Sequence, residues 1–120
     1  MLQEKNVTIV NMARLRKYNN VRTVVDGITF DSKKEAQRYS ELRLMEIGNH
    51  ITNLECQPKI PLMVNGKQVG NYIGDFKYRE SGRWVVEDVK SKATMTPVYR
   101  LKKKILSTYD PPINIREYFG

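Results

Sequence analysis

Asp75, Asp88 and Lys90 lie in the stretch DFKYRESGRWVVEDVK, and their spacing sets up a specific chemistry if the stretch folds as a hairpin. With Ser81-Gly82 as a two-residue loop, Glu80 faces Arg83 and, counting outward, Asp75 faces Asp88. Directly opposed residues point to the same face of a sheet, their β-carbons about 4.5–5.5 Å apart. Lys90 is two residues beyond Asp88 and points the same way, whereas Glu87 points to the other face. Opposed carboxylates repel and weaken a sheet, so the arrangement asks for a counter-charge. Oxygen donors of this kind suit Mg²⁺, which binds through one or two carboxylates together with water and substrate phosphate. Mn²⁺ is a second candidate. An amine beside such an ion could position or deprotonate water and neutralise charge on a phosphate.

The same residues have a plain structural reading. Strand carboxylates often sit on a solvated face without further role. The face also depends on the loop, because a one-residue slip would put Asp75 opposite to the side of Asp88. Trp84 and Val86 share the expected face of Asp88, which makes it part core and part site. Glu35 is the next candidate. Ser32-Lys-Lys-Glu35 fits a capping box, a sufficient structural role. Glu35 also precedes Tyr39 and Leu42 at i+4 and i+7, so it could instead point inward toward a metal. Gln57, before Pro58, is a weaker candidate for the edge of the site. No Gly-rich phosphate loop and no serine or cysteine triad is present.

The elements that must position these groups follow from local signals. VRTVV and ITF are β-rich runs split by Asp26-Gly27, a hairpin signal. Ser32 caps a helix over about 33–47 that Gly48-Asn49 stops, with Ala36, Tyr39, Leu42, Met45 and Ile47 mostly on one side. Residues 51–57 and 59–64 read as extended, with Pro58 and Pro61 marking bends or an edge. Asn65-Gly66 is a further turn, followed by strands at about 68–79 and 83–90. A helix from Pro97 to about Tyr109 carries an expected buried stripe of Val98, Leu101, Ile105 and Leu106. Pro111-Pro112 ends it, and residues 113–119 read as a closing strand. The order predicts an α/β (α+β) fold, a central mixed β-sheet flanked by helices.

Composition narrows the partners. The 120 residues make one domain's worth of chain, expected as a basic N-terminal arm over 1–20 and one domain over 21–120. No apolar run approaches the roughly 18 residues of a membrane span, and no signal-peptide core is visible at the N-terminus. One cysteine, Cys56, and one histidine, His50, argue against internal disulfides and structural zinc and fit a reducing cytoplasm. The net charge of +8 points to a polyanionic partner. Candidate phosphate-binding residues are Lys92, Arg100, Lys102, Lys103 and Lys104 on the second helix and before it, with Arg14, Arg16 and Lys17 on the arm.

A glutamate on an early helix, an aspartate on a strand and Asp-x-Lys on the next strand together resemble the PD-(D/E)XK nuclease superfamily. The stretches VDGITFDSKKEAQRY, LECQPKI, YIGDFKY and VVEDVKSKATMTPVYRLKKK more specifically resemble a family of small nuclease-like proteins from phages and prophages. The likeness spans about residues 17–118. It implies a restriction-endonuclease-like core, with Asp75 and Asp88 as metal ligands, Glu35 as a further ligand or metal-water contact, and Lys90 as the catalytic lysine. It also implies Mg²⁺-dependent cutting of DNA, branched or double-stranded, in a bacterial host's cytoplasm. Analogy with phage junction-resolving endonuclease I adds a Holliday-junction substrate and a homodimer making paired cuts. Gly74 stands where the superfamily often has proline. Two rival expectations remain: a non-catalytic nucleic-acid-binding module, and a degenerate nuclease fold acting through a host protein.

Overall fold

The computed structural model describes residues 21–120. The expected basic arm, with Arg14, Arg16 and Lys17, lies outside the described residues. The described chain forms a mixed α/β fold of two helices, a mixed four-stranded sheet and two small two-stranded sheets. It divides into two compact units, residues 21–44 with Gly120, and Met45–Phe119.

In the first unit, β1 (Thr23–Val25) and β2 (Ile28–Phe30) form a hairpin. Asp26 and Gly27 turn it with φ of 52° and 75°, the left-handed pair that a two-residue loop on twisted strands requires. α1 (Lys33–Ile47) then starts at Ser32, whose Oγ accepts the Glu35 N–H at 3.1 Å. Ala36, Tyr39 and Leu42 form its buried stripe. Tyr39 packs its ring 5.1 Å from that of Phe30 and donates its hydroxyl to Asp26 Oδ2 at 2.9 Å, which fastens the turn to the helix. Ile47 was expected on the buried side but is exposed, since five residues after Leu42 a regular helix has carried it about 140° round from that residue.

In the second unit the main sheet is ordered β3 (Thr52–Cys56), β6 (Phe76–Glu80), β7 (Arg83–Val89), β8 (Ile115–Tyr118). β7 and β8 are parallel and the other neighbours antiparallel. The parallel pair needs a crossover, supplied by a 3₁₀ turn (Lys92–Thr94) and α2 (Pro97–Ser107). Thr96 caps α2 by accepting the Tyr99 N–H, and Pro97 occupies its first position. β4 (Lys59–Val64) and β5 (Lys67–Ile73) form a separate ribbon, turned by Asn65-Gly66. The expectation of a single strand over 68–79 is corrected here. The chain leaves the ribbon at Gly74-Asp75 and enters the main sheet only at Phe76.

That break is paired with another at Gln57-Pro58, where β3 passes into β4. Gln57 donates its N–H to the Asp75 carbonyl at 2.9 Å, and Gly74 donates to the Pro58 carbonyl at 3.0 Å. Two adjacent strands therefore bend together, and Gln57 takes the turn with φ of 55°. The ribbon and α2 fold over one face of the main sheet, where Leu62, Tyr72, Val86, Tyr99, Leu106 and Ile115 form the core. Tyr109 staples helix to ribbon, donating to the Pro61 carbonyl at 2.6 Å and accepting the Met63 N–H at 2.8 Å.

α2 is rotated from its expected orientation. Tyr99 and Leu106 are its buried residues, while Val98 and Leu101 are exposed. Tyr99 brings a large aromatic surface and a hydroxyl with a partner at the sheet, which outweighs the smaller apolar gain from Val98.

Gly74 is needed at the bend for space. A Cβ there would lie 3.2 Å from Val86 Cγ1 and 3.3 Å from Pro58 Cγ, side-chain atoms of two buried residues. Gly74→Ala is expected to destabilise the fold by about 1–3 kcal/mol, read as a lower urea midpoint. An unchanged midpoint would show that the bend relaxes freely.

Candidate active site

The register of β6 and β7 brings the proposed residues together. Phe76 faces Glu87 and Glu80 faces Arg83, so Asp75, one residue before β6, lies level with Asp88. Ser81-Gly82 turns the hairpin with φ of 52° and 78°, as the two-residue loop requires. The two aspartates reach across each other. Asp88 Oδ1 accepts the Asp75 N–H at 2.9 Å, and Asp75 Oδ2 accepts the Val89 N–H at 2.8 Å. The Asp75 N–H is shared with the Glu87 carbonyl at 3.2 Å. Each carboxylate thus holds the backbone of the opposite strand at the point where regular pairing gives out.

Lys90 completes the group. Its Nζ lies 3.3 Å from Asp88 Oδ2 and 3.5 Å from the centroid of the Tyr99 ring. Both interactions favour a cation in that position. Its backbone N–H donates to the Tyr118 carbonyl at 2.8 Å, fixing the residue beyond the end of β7 against β8. Tyr72, from the ribbon, donates its hydroxyl to Asp88 Oδ2. Asp88 and Lys90 are buried and Asp75 is half-buried.

Tyr72, Tyr99 and Glu117 escaped the sequence reading. Tyr99 donates to Glu117 Oε2 at 2.7 Å, and Lys103 pairs with the same oxygen at 3.1 Å. A run of contacts therefore leads from Asp88 through Lys90 and Tyr99 to Glu117 and Lys103. The signal was present in α2, where Tyr99 is spaced four from Lys103 and seven from Leu106, on one helical face. Tyr72 left no comparable signal, because only the bend at Gly74-Asp75 aims it at Asp88.

The remaining candidates divide. Glu35 lies in the first unit, where its Oε2 accepts the Ser32 hydroxyl at 3.2 Å within the helix cap. Lys92, Arg100 and Lys104 are exposed. Lys102 and Lys103 are half-buried and have internal partners, Lys102 donating to the Asn71 carbonyl at 3.1 Å. Gln57 is exposed at the bend. Cys56 is half-buried, and burial, with the charges of Glu46 and Glu55, pushes its thiol pKa up. Among the described residues no group of three or more His, Cys, Asp or Glu side chains is placed to hold a metal ion.

With this geometry in place, comparison with known proteins gives one family. The model of a family described as "Protein of unknown function (DUF1064)" matches residues 15–116. The chain belongs to the DUF1064 family. Neither curated proteins nor solved structures give a match. The match to the DUF1064 model takes in the bend, the aspartate pair, Lys90 and all of α2.

Three phenols around this sheet are held neutral. Burial, then the charge and hydrogen bond of Asp88, push the Tyr72 pKa far above the usual tyrosine range. Burial and the hydrogen bond to Glu117 do the same for Tyr99. On the opposite face, burial and the hydrogen bond to Glu87 raise Tyr78 to about 12. A raised folded-state pKa contributes stability that is complete below the unfolded value near 10 and is lost as pH climbs through the folded value. For Tyr78 that window runs from about 10 to 12. Of seven tyrosines, these three are therefore expected to ionise late, together with loss of the far-ultraviolet circular dichroism signal. A tyrosinate absorbance titration in which all seven ionise in one wave, with the fold intact, would contradict this arrangement.

Proposed function

We propose that the protein is a metal-dependent endonuclease that hydrolyses DNA phosphodiester bonds, with Asp75, Asp88 and Lys90 as its working groups. The observation that carries this is Asp75 level with Asp88 across the hairpin, with the Lys90 ammonium against Asp88, at one bend. The resemblance of Asp75 and Asp88-Val89-Lys90 to the PD-(D/E)XK pattern gives the reaction class. The donor set fits a hard divalent cation, since two aspartates offer oxygen ligands and the three side chains together carry one formal negative charge. Mg²⁺ fits best, with Mn²⁺ as a substitute, held by Asp75 and Asp88. Such an ion supplies Lewis-acid polarisation of a phosphate and lowers the pKa of a bound water.

The chain's own groups do the positioning. Lys90, fixed between Asp88 and the face of Tyr99, presents its ammonium where it can neutralise a phosphate oxygen or hold a water. Tyr72 orients the Asp88 carboxylate and, remaining neutral, keeps it an acceptor. Arg100, Lys104 and Lys92 are exposed cations suited to backbone phosphates, which fix register without reading sequence. Branched DNA such as a Holliday junction, cut in pairs by a homodimer, is the substrate suggested by analogy with phage resolvases.

One observation favours a second reading, a nucleic-acid-binding protein without catalysis. Both Asp88 oxygens already have partners within the protein, so the pair accounts for itself as a structural fastening. A cleavage assay on linear, single-stranded, flapped and four-way DNA separates the two. Cutting is expected with Mg²⁺ or Mn²⁺ and not with EDTA. Asp88→Asn and Lys90→Ala should each lower it by about 10²-fold or more, with DNA binding retained in a mobility-shift assay. Undiminished cutting by both variants would refute the residue assignment. Binding without cutting, across all substrates and metals, would establish the second reading.

A further inference from the structure

A second feature of the main sheet lies apart from the aspartate pair. Trp84, the chain's one tryptophan, was expected partly in the core but is 54% exposed. Leaving an indole in water forgoes a large burial gain, and the setting suggests what would recover it. Lys77 Nζ lies 4.7 Å from the Trp84 ring and Arg79 Cζ 5.2 Å from it. β8 pairs with β7 only from Val86 onward, so Arg83–Val85 run past its end. An open notch of about 510 Å³ lies at that corner, lined by Glu80, Arg83, Trp84, Asn114 and Arg116 among others. Arg116 is held in place there, its Nη1 donating to Glu80 Oε1 at 3.0 Å and to the Tyr78 hydroxyl at 3.3 Å.

We propose that this notch is a subsite for one unpaired nucleotide of a nucleic acid strand, with the base stacked on Trp84 and the phosphate held by Arg83 and Arg116. The volume falls within the roughly 300–1,000 Å³ of ligand sites. The chemistry is that of single-strand binders, an aromatic face for a base beside cations for the backbone. An exposed indole can take a base only if that base has left its stack, so the subsite selects unpaired over paired strands. Asn114 adds an amide that can hydrogen-bond a base edge. Lys77 and Arg79 over the indole, with Arg83 and Arg116 from the other face of the sheet lining the notch at its open edge, outnumber the carboxylate of Glu80 and match a polyanion. The inference rests on the nucleic-acid reading above and gives it a substrate preference: strands with unpaired bases near the cut.

Because Trp84 is the sole tryptophan, the intrinsic fluorescence of the whole chain reports the subsite directly. A short oligothymidylate titrated in EDTA should quench it, while a blunt, fully paired duplex should bind with the fluorescence unchanged. By anisotropy of the labelled oligothymidylate, Trp84→Ala should weaken binding about tenfold and Trp84→Phe should recover most of the loss. The position is exposed, so circular dichroism should show both variants folded. Oligothymidylate binding without quenching, an unaffected Trp84→Ala, or no single-strand binding at all would each overturn the subsite. Asp88→Asn in the same titration should quench as the unaltered chain does. Quenching without cleavage would sink the catalytic reading alone, and cleavage without quenching would sink the subsite alone.

Discussion

Two carboxylates that ought to repel are made to hold a bend. Asp75 and Asp88 are level on adjacent strands, an arrangement that costs stability when nothing answers it. Here it is answered by the Val89 N–H, the Asp75 N–H, the Tyr72 hydroxyl and the Lys90 ammonium. The pair thereby supplies acceptors just where the ladder hydrogen bonds run out and the chain turns from the main sheet into the ribbon. Much else follows. The bend lays the ribbon over the sheet, the ribbon delivers Tyr72 back to Asp88, and Lys90 gives Tyr99 a cation to cover, which orients α2. Removing one partner from such a buried ionic group typically costs about 3–5 kcal/mol, because the other is left uncompensated.

The two faces of the sheet handle neighbouring acids in parallel ways with different outcomes. Glu87 and Asp88 are adjacent and both buried, and alternation sends them to opposite faces. Each accepts a tyrosine hydroxyl, from Tyr78 at 2.6 Å for Glu87 and from Tyr72 for Asp88. Arg116 reaches Tyr78 on one side as Lys90 reaches Asp88 on the other. Only Asp88 faces a second carboxylate across the hairpin. That separates the two acids chemically, since a lone buried carboxylate with a phenol is a core polar contact, whereas a pair of them is a place for a cation.

What was legible in the sequence was whatever local chemistry decides. Asp26-Gly27, Asn65-Gly66 and Ser81-Gly82 each take two successive left-handed residues, and the last sets the register that aligns Asp75 with Asp88. Ser32 and Pro97 mark the starts of both helices for equally local reasons. What was not legible depends on contacts distant in sequence. The break at Gly74-Asp75 brings Gly74 so close to Val86 and Pro58 that a Cβ would crowd both, a proximity that no periodicity within residues 68–79 reveals. The rotation of α2 depends on Glu117, eighteen residues after Tyr99. Trp84 reads as core by alternation with Val86, yet β8 stops short of it and leaves it in the open.

Burial finally explains why the site's charge is simple. Phenols at Tyr72 and Tyr99 are pushed above the usual range by desolvation and by the acids they contact, so they act as neutral donors across the physiological range. The formal charge then rests on two carboxylates and one ammonium, one negative charge in all, inside a region where Asp88 and Lys90 are hardly exposed. Interactions there are stronger than in water, and an unanswered charge costs more. Under the proposed reading, one divalent cation converts that single negative charge into a single positive one, the complement of a phosphodiester. The arrangement that holds the bend would then also be the one that draws the substrate, and both depend on the contacts of Asp88 with Tyr72 and Lys90.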